Sequence, residues 1–444
     1  MSAAPVQIPA VGRPKPLKVP PTEERTLRNG LRAIAIRRST VPRAEIRLRI
    51  PAGGVYDTGD GTRARLVPET LLGGTGTRDS VAIARDLQRL GASLDAGADS
   101  DDLVVRGGGL AGNLPGLLEL LAEVVTDAAF PADEVAIARD RVAQEIIIQR
   151  SQPSALASEA LRARLFGKHR YGRPMPDPDA VRRIGPAPLR RFFEQRVLPR
   201  GSAIVIVGDM TPAKALDAVE GALGGWKGRS QLDKPSAPAP ASIGRPTVLV
   251  ARPGAVQTTI RLGGPALSRR EDGFFSLALA VMVFGGYFSS RLVKNIREDK
   301  GYTYSPNTML DHRRRASALI INADVGTEVT AAALLEIRYE LGRMAASMVP
   351  QEELDQARRY LAGATSLAVQ TQAGLASYVD GLVAAGVGLD FLRDFRRNLE
   401  AVTPKDVQDA AIRYLTPRGL QTVLVGDPAA VSTTVGAFDD LEQR

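Results

Sequence analysis

The pattern of apolar and polar positions repeats itself halfway along the chain. The stretch "IGPAPLRRFFEQRVLPRGSAIVIVGD" ends at Asp209 and "VTPKDVQDAAIRYLTPRGLQTVLVGD" ends at Asp427. Pro186, Pro199, Arg200 and Gly208 recur as Pro404, Pro417, Arg418 and Gly426, at a constant offset of 218. In each copy a helix-period pattern stops at a Pro-Arg-Gly turn, and a β-branched run leads to Gly-Asp. Thr211 then stands where a helix N-cap is expected. A second pair, "FPADEVAIARDRVAQEI" and "VPQEELDQARRYLAGAT", matches at Pro131/Pro350 and at Ala138-Arg139/Ala357-Arg358, offset 219. Both predict helices opened by proline, with acidic residues just behind to complement the helix dipole. Two such matches in register make the chain a duplicated domain.

Each copy has the same coarse order. Strands open it ("GLRAIAIRR" and "AEIRLRIP" against "PTVLVAR" and "QTTIRLGG"), then come helices, a further strand ("DLVVRGGG" against "SALIINAD"), more helices and the Gly-Asp strand. Strand runs and helix runs within one copy predict an α+β fold, two homologous α/β sandwich domains whose mixed sheets are covered by helices on one face. The expected division is an extended Pro/Ala-rich lead at 1–23, a first domain at 24–227, a Pro/Ala/Ser linker at 228–245 and a second domain at 246–444.

Length alone suggests about three domains of ordinary size, so the duplication changes that expectation. The 44% hydrophobic and 24% charged content is that of a globular chain with a sizeable core. No stretch approaches the ~18 uninterrupted apolar residues of a membrane span. A net charge of +9 invites a nucleic-acid reading, but acidic residues are interleaved, aromatics are only 5% and no nucleic-acid motif is present. The densest basic run, "DHRRRAS" (Asp311 to Ser317), reads as a solvated loop. "GGTGT" lacks the Lys-Ser/Thr of a phosphate loop, and "RGGGLAG" lacks a dinucleotide-fold helix signature. With no cysteine and only His169 and His312, which lie far apart in unlike contexts, no catalytic metal site is expected in this chain. The lead lacks the apolar core of a signal peptide but is of the kind found just after a removed one. The periplasm is therefore the favoured compartment, with the cytoplasm as the alternative.

The duplicated halves, the series "GGVYDTG…LLGGTGTRDS…LGASLDAGADSDD" and the segment "SSRLVKNIREDKGYTYS" resemble the M16 family of zinc metallopeptidases, from Arg25 nearly to the C-terminus. The likeness is to the subfamily whose two-domain subunits act as dimers. In catalytic members a helix carries H-x-x-E-H, which supplies two zinc ligands and a general base, and a later Glu completes the site. Aligned on the following Leu-x-Gly-Thr, this chain places Arg65 and Glu69 at the two His positions, Pro68 at the base and Glu145 at the third ligand. Arginine stays protonated and cannot ligate zinc. Pro68 lacks an N–H and crowds the preceding turn, so the helix is expected to begin about there.

The resemblance also implies that Arg297 and Tyr304 match an arginine and a tyrosine that face the zinc from the second domain. A tyrosine hydroxyl suits a developing oxyanion and an arginine fork suits a substrate carbonyl or carboxylate. The residue types alone admit another reading, in which Arg297 pairs with Glu298 or Asp299 and Tyr304 caps the core. Tyr302, one aromatic too early, is expected on the opposite face if this stretch is extended. The chain is thus expected to bind no metal and no cofactor of its own. It would pair with a homologous subunit that bears H-x-x-E-H and the zinc, and it would act on unfolded or short peptides. The alternatives are a structural M16-like subunit without a site and, more remotely, a basic module binding peptides or nucleic acid.

Overall fold

The computed structural model describes residues 18–228 and 246–444. Each half is built on a six-stranded mixed sheet. The first contains β1 (Thr22–Thr26), β2 (Arg32–Arg37), β3 (Arg43–Ile50), β4 (Ser93–Ala98), β5 (Leu103–Leu110) and β6 (Ala203–Gly208), in the order β1-β2-β6-β3-β5-β4. The second contains β7 (Thr247–Ala251), β8 (Gln257–Ala266), β9 (Asn307–His312), β10 (Ser317–Gly326), β11 (Gln421–Gly426) and β12 (Leu441–Gln443), in the order β12-β7-β11-β8-β10-β9. The duplication is visible in the pairing. β2 lies parallel to β6 and β7 parallel to β11, while β3 and β8 run antiparallel to both of their neighbours. The halves part company at one edge, where β1 is antiparallel to β2 but β12 is parallel to β7. β1 takes in Thr22 and Glu23, while most of the lead and all of the linker but Gly228 lie outside the described residues.

The prediction of helices on one face needs correction. β6 and β11 are buried along their whole length, because both faces of each sheet are covered. Ala33, Ala35, Ile204 and Ile206 face the helices of the first half. The alternate residues Ile34, Ile36, Val205 and Val207 pack instead beneath Leu375, Ala376, Val379 and Leu382 of the helix Gln372–Ala385, which belongs to the second half. The exchange is mutual. The helix Pro153–Phe166 of the first half lays Ala157, Leu161 and Leu165 against Val248, Val423 and Val425 of the second sheet. Burying each Val, Leu or Ile side chain contributes about 1.5–3 kcal/mol, so separating the halves would expose two apolar patches at once.

A polar clasp reinforces this exchange, and it corrects the reading of "DHRRRAS" as a solvated loop. His312 ends β9 and Ser317 begins β10, so the three arginines sit in a tight hairpin turn. That turn docks on the acidic loop of the first half. The Arg314 side chain donates to Asp102 at 2.6 Å, and its backbone N–H donates to Asp101 at 3.1 Å. The Arg313 side chain donates to the Ser100 hydroxyl. Asp102, 1% exposed, also accepts from Arg49, which makes a two-pronged pair with Asp380 of the cross-packed helix. Burial opposes the charges on Arg49 and Arg314, but the facing carboxylates outweigh it and raise both pKa values. Gly53 permits the loop's close approach, since a Cβ there would stand 2.4 Å from the Asp101 main chain.

One helical stretch, Phe274–Asp299, is long and apolar enough to cross a membrane by length and composition. It is a core element here. Leu277, Leu279, Val283, Phe284, Leu292 and Ile296 are each fully buried in the second half.

Candidate functional site

That same stretch positions Arg297. The helix Phe274–Val281 widens into a looser turn at Met282–Gly286, breaks at the extended Tyr287, and resumes from Ser290 through Asp299. Gly285 is required at the bend, because a Cβ there would meet the Thr308 hydroxyl at 2.3 Å. Leu292 and Ile296 anchor the resumed helix in the core, which leaves Arg297 on its rim. The helix ends at Gly301 (φ +65°), where the Tyr302 N–H returns to the Ile296 carbonyl at 2.8 Å. Thr303 then ties the following segment to the Asp324 carbonyl at 2.6 Å. Tyr302 packs on the core and Tyr304 points away from it. Residues two apart would share a face of a regular strand, so the divergence comes from the bends at Tyr302 and Tyr304 rather than from extended alternation.

The guanidinium of Arg297 lies between two rings, 4.6 Å from the centroid of Tyr304 and 4.6 Å from that of Phe288. Each contact of this kind contributes about 0.5–1 kcal/mol at an exposed site. Tyr304 is 80% exposed and Phe288 57%. Arg297 makes no ion pair with Glu298 or Asp299, so the alternative reading of a local pair and a core tyrosine does not describe this geometry. Phe288 went unnoticed in the sequence. It lies nine residues from Arg297, within the Gly-rich bend, and only the fold brings it to the guanidinium.

The other four predicted positions lie in the first half. The helix that carries Arg65, Pro68 and Glu69 runs Thr62–Thr70 with Pro68 inside it, contrary to the expectation that it begins near Pro68. A proline inside a helix costs about 3 kcal/mol. Here that cost is offset by tertiary packing, because Leu66, Val67 and Leu71 are at most 1% exposed. The helix start is also well held. Asp57, fully buried, accepts from the N–H groups of Arg63 and Ala64 and pairs with the Arg63 side chain. Burial alone would push Asp57 up, but these bonds hold its carboxyl below the usual carboxylate range.

Arg65, Glu69 and Glu145 line one cavity of about 530 Å³, with Glu145 presented by the helix Ala132–Ser151; Pro68 is buried beneath. Arg65 lies 3.7 Å from Glu145 and donates to Gln149 at 3.3 Å. Arg141 lies 2.6 Å from Glu69 and 3.3 Å from Glu145. The hydrogen bond to Glu69 is the main cause of the raised Arg141 pKa. Both carboxylates are thus matched by fixed cations. This donor set does not fit a zinc ion, which takes neutral His or free carboxylate ligands and is repelled by a guanidinium at a ligand position. Arg297 and Tyr304 are not among the residues lining this cavity, so the two predicted groups do not meet within the chain. His169 caps the turn Arg170–Gly172 by accepting from the Tyr171 N–H, and His312 packs against Phe274 and lies 3.1 Å from the Ser317 hydroxyl.

A duplicated α+β frame whose halves exchange helices defines a two-domain peptidase-type fold. The sequence model described as insulinase (peptidase family M16) matches residues 32–179, and that described as the peptidase M16 inactive domain matches residues 183–361. The chain belongs to the peptidase M16 family. An uncharacterised zinc protease of Mycobacterium tuberculosis is 26% identical over 82% of this chain and 83% of its own length. One of Mycobacterium leprae is 27% identical over 67% and 68%. Among solved structures, a peptidase M16 inactive domain from Pseudomonas fluorescens superposes with a TM-score of 0.85 at 24% identity, covering 92% of this chain and 98% of that one. A protease from Helicobacter pylori gives 0.83 at 18%, covering 91% and 99%. These two likenesses confirm the fold.

Proposed function

We propose that this chain is the zinc-free subunit of a heterodimeric M16 metalloendopeptidase. A homologous partner bearing H-x-x-E-H holds the metal, and this chain turns Arg297 and Tyr304 toward the partner's site. The observation that carries the reading is the exposed pair itself, held ready by Phe288 and left without a carboxylate partner among the described residues. In this reading the Tyr304 hydroxyl donates a hydrogen bond to the oxyanion that forms as water attacks the peptide carbonyl. The Arg297 fork holds a substrate carbonyl or carboxylate and fixes its register. The saturated ion pairs at Arg65, Glu69 and Glu145 support the complementary half of the reading, that zinc belongs to the partner.

Reconstitution tests this. The chain alone should carry no tightly bound zinc and cleave no peptide. Mixed with its zinc-bearing partner it should form a one-to-one complex that cleaves short or unfolded peptides. About one zinc per isolated chain by elemental analysis, or a partner equally active without this chain, would defeat the proposal. Assembly that is required but indifferent to substitution of both Arg297 and Tyr304 would make the subunit a scaffold.

A further inference from the structure

The cavity beside Arg65 holds an imbalance that the ion pairs there do not remove. Its four carboxylates all have partners. Glu69 and Glu145 are matched to Arg141 and Arg65, Asp60 accepts the Thr62 N–H, and Asp99 accepts from Asp101, Asp102 and Arg49. The arginines on the opposite wall do not find carboxylates in the same way. Arg170 and Arg173 donate to the main-chain carbonyls of Val55, Gly54 and Asp57. Arg162 makes no hydrogen bond or ion pair with any described residue.

The fold fixes Arg162 there. Its helix, Pro153–Phe166, is locked by Leu161 and Leu165 against the second sheet, which turns the next position to the cavity wall. Arg313 reaches the same wall from the clasp turn and stacks over Phe166 and Tyr171. Burial first, and then the charge of Arg313, lowers the Arg162 pKa; Glu159 and Asp311 act in the opposite sense, but Asp311 is paired with Arg313 and neither carboxylate bonds the Arg162 fork. Charges half withdrawn from water are normally paired, and convergent polar groups in a pocket of this size are the usual mark of a ligand site.

We propose that this cavity binds a carboxylate, gripped by the planar fork of Arg162 and supported by Arg313. One fork with unspent donors matches one planar, singly charged carboxylate, the two-pronged geometry that arginine favours. A peptide C-terminus is the expected source. The site is assembled from both halves of a single chain, so the proposal is independent of the subunit reading above.

The test uses the whole isolated chain and three probes: acetyl-trialanine, its C-terminal amide and inorganic phosphate. Calorimetry should register the free acid and not the amide. Arg162→Gln should weaken acid binding by about 10–100-fold, the worth of a lost charge-assisted fork. Arg162→Lys, which keeps the charge without the fork, should fall between them. Thermal melting guards against misfolding. Because Arg162 faces Arg313 and makes no hydrogen bond or ion pair with a described residue, the unliganded Arg162→Gln protein should melt no lower than wild type. Equal binding of acid and amide, undiminished binding by Arg162→Gln, or phosphate binding tighter than the acid would overturn the assignment. So would a clear drop in the unliganded Tm, which would give Arg162 a structural role instead.

Discussion

The two halves share a strand order and a history of duplication, yet they treat charge in opposite ways. At the cavity of the first half, the side chains at the expected metal-ligand positions are tied to one another: Arg65 to Glu145, and Arg141 to Glu69 and Glu145. On the second half, Arg297 has no carboxylate partner among the described residues and is stored between two exposed rings. A guanidinium in an ion pair is neutralised and held. One stacked on aromatic faces keeps all its hydrogen-bond donors free for something else. The difference teaches that the first half spends its side chains at the expected metal-ligand positions on one another, while the second half keeps Arg297 available.

The largest effect expected from breaking the comparison lies where the halves meet. Asp102→Ala leaves Arg49 and Arg314 facing each other without the carboxylate between them. Removing one partner of a buried ion pair costs about 3–5 kcal/mol. Chemical denaturation of Asp102→Ala should show that loss, whereas removing an exposed pair such as Arg393–Asp390 should shift stability by no more than about 1 kcal/mol. Equal small losses from both would mean that the clasp does not hold the halves together.

Next in size is the chemistry assigned to the second half. In the reconstituted complex, Tyr304→Phe removes one hydroxyl from an otherwise intact sandwich. Loss of an oxyanion donor costs about 10²–10³ in rate, so kcat should fall by roughly that factor with KM changed far less. Arg297→Ala should raise KM as well, since positioning acts in ground and transition states alike. Tyr302→Phe is the control and should be near neutral, because that ring packs on the core. A larger effect at Tyr302 than at Tyr304 would show that the register of the pair is wrong.

A smaller, pH-dependent effect belongs to the hairpin turn between β9 and β10. Burial first, then the charge of Arg269, lowers the His312 pKa to about 4, while Asp311 acts in the opposite sense. The folded state therefore resists a proton that the unfolded chain accepts near pH 6.5. Stability from this group is intact above that pH and is lost progressively as pH falls from about 6.5 to about 4. The full loss is at most about 3 kcal/mol. Denaturant midpoints at pH 7 and pH 4.5 should converge in His312→Asn relative to wild type; an identical pH slope in both proteins would exclude the contribution.

Much of this arrangement was legible in the sequence, and the reasons for the rest are specific. The Gly-Asp repeats announced β6 and β11, because a strand buried on both faces is a continuous apolar run. β4 and β9 gave little signal, since edge strands such as "SLDAGA" and "NTMLDH" bury one face poorly. The exchanged helices were invisible because the shared cluster that holds Val205 and Val379 is a property of the assembled fold and leaves no local pattern. The basic hairpin looked solvated for the same reason. Its carboxylate partner, Asp102, lies 212 residues from Arg314. The Arg297–Tyr304 pair was found through the family resemblance and Phe288 was not, because the ring's role appears only when the bend at Gly285 folds it back.

The smallest effect is also the sharpest test of the comparison, because it asks the first half to be indifferent. Glu145 occupies the position of a third ligand, but its side chain is 42% exposed, and its contacts are to Arg65 at 3.7 Å and Arg141 at 3.3 Å. Such pairs gain little in high dielectric, and exposed ones typically contribute about 0.2–1 kcal/mol. Glu145→Gln keeps the shape and most of the hydrogen-bonding capacity, so stability should change by no more than about 0.5 kcal/mol. If zinc belongs to the partner, activity of the reconstituted complex should also stay within about twofold, far from the loss expected at Tyr304. A drop of tenfold or more in kcat from Glu145→Gln, with folding intact by thermal melting, would mean that the first half still takes part in the chemistry. Glu69→Gln is the companion measurement, since its carboxylate is engaged by Arg141 alone among these arginines. Indifference at both positions, set beside a large loss at Tyr304, would place the working chemistry of this chain on its second half.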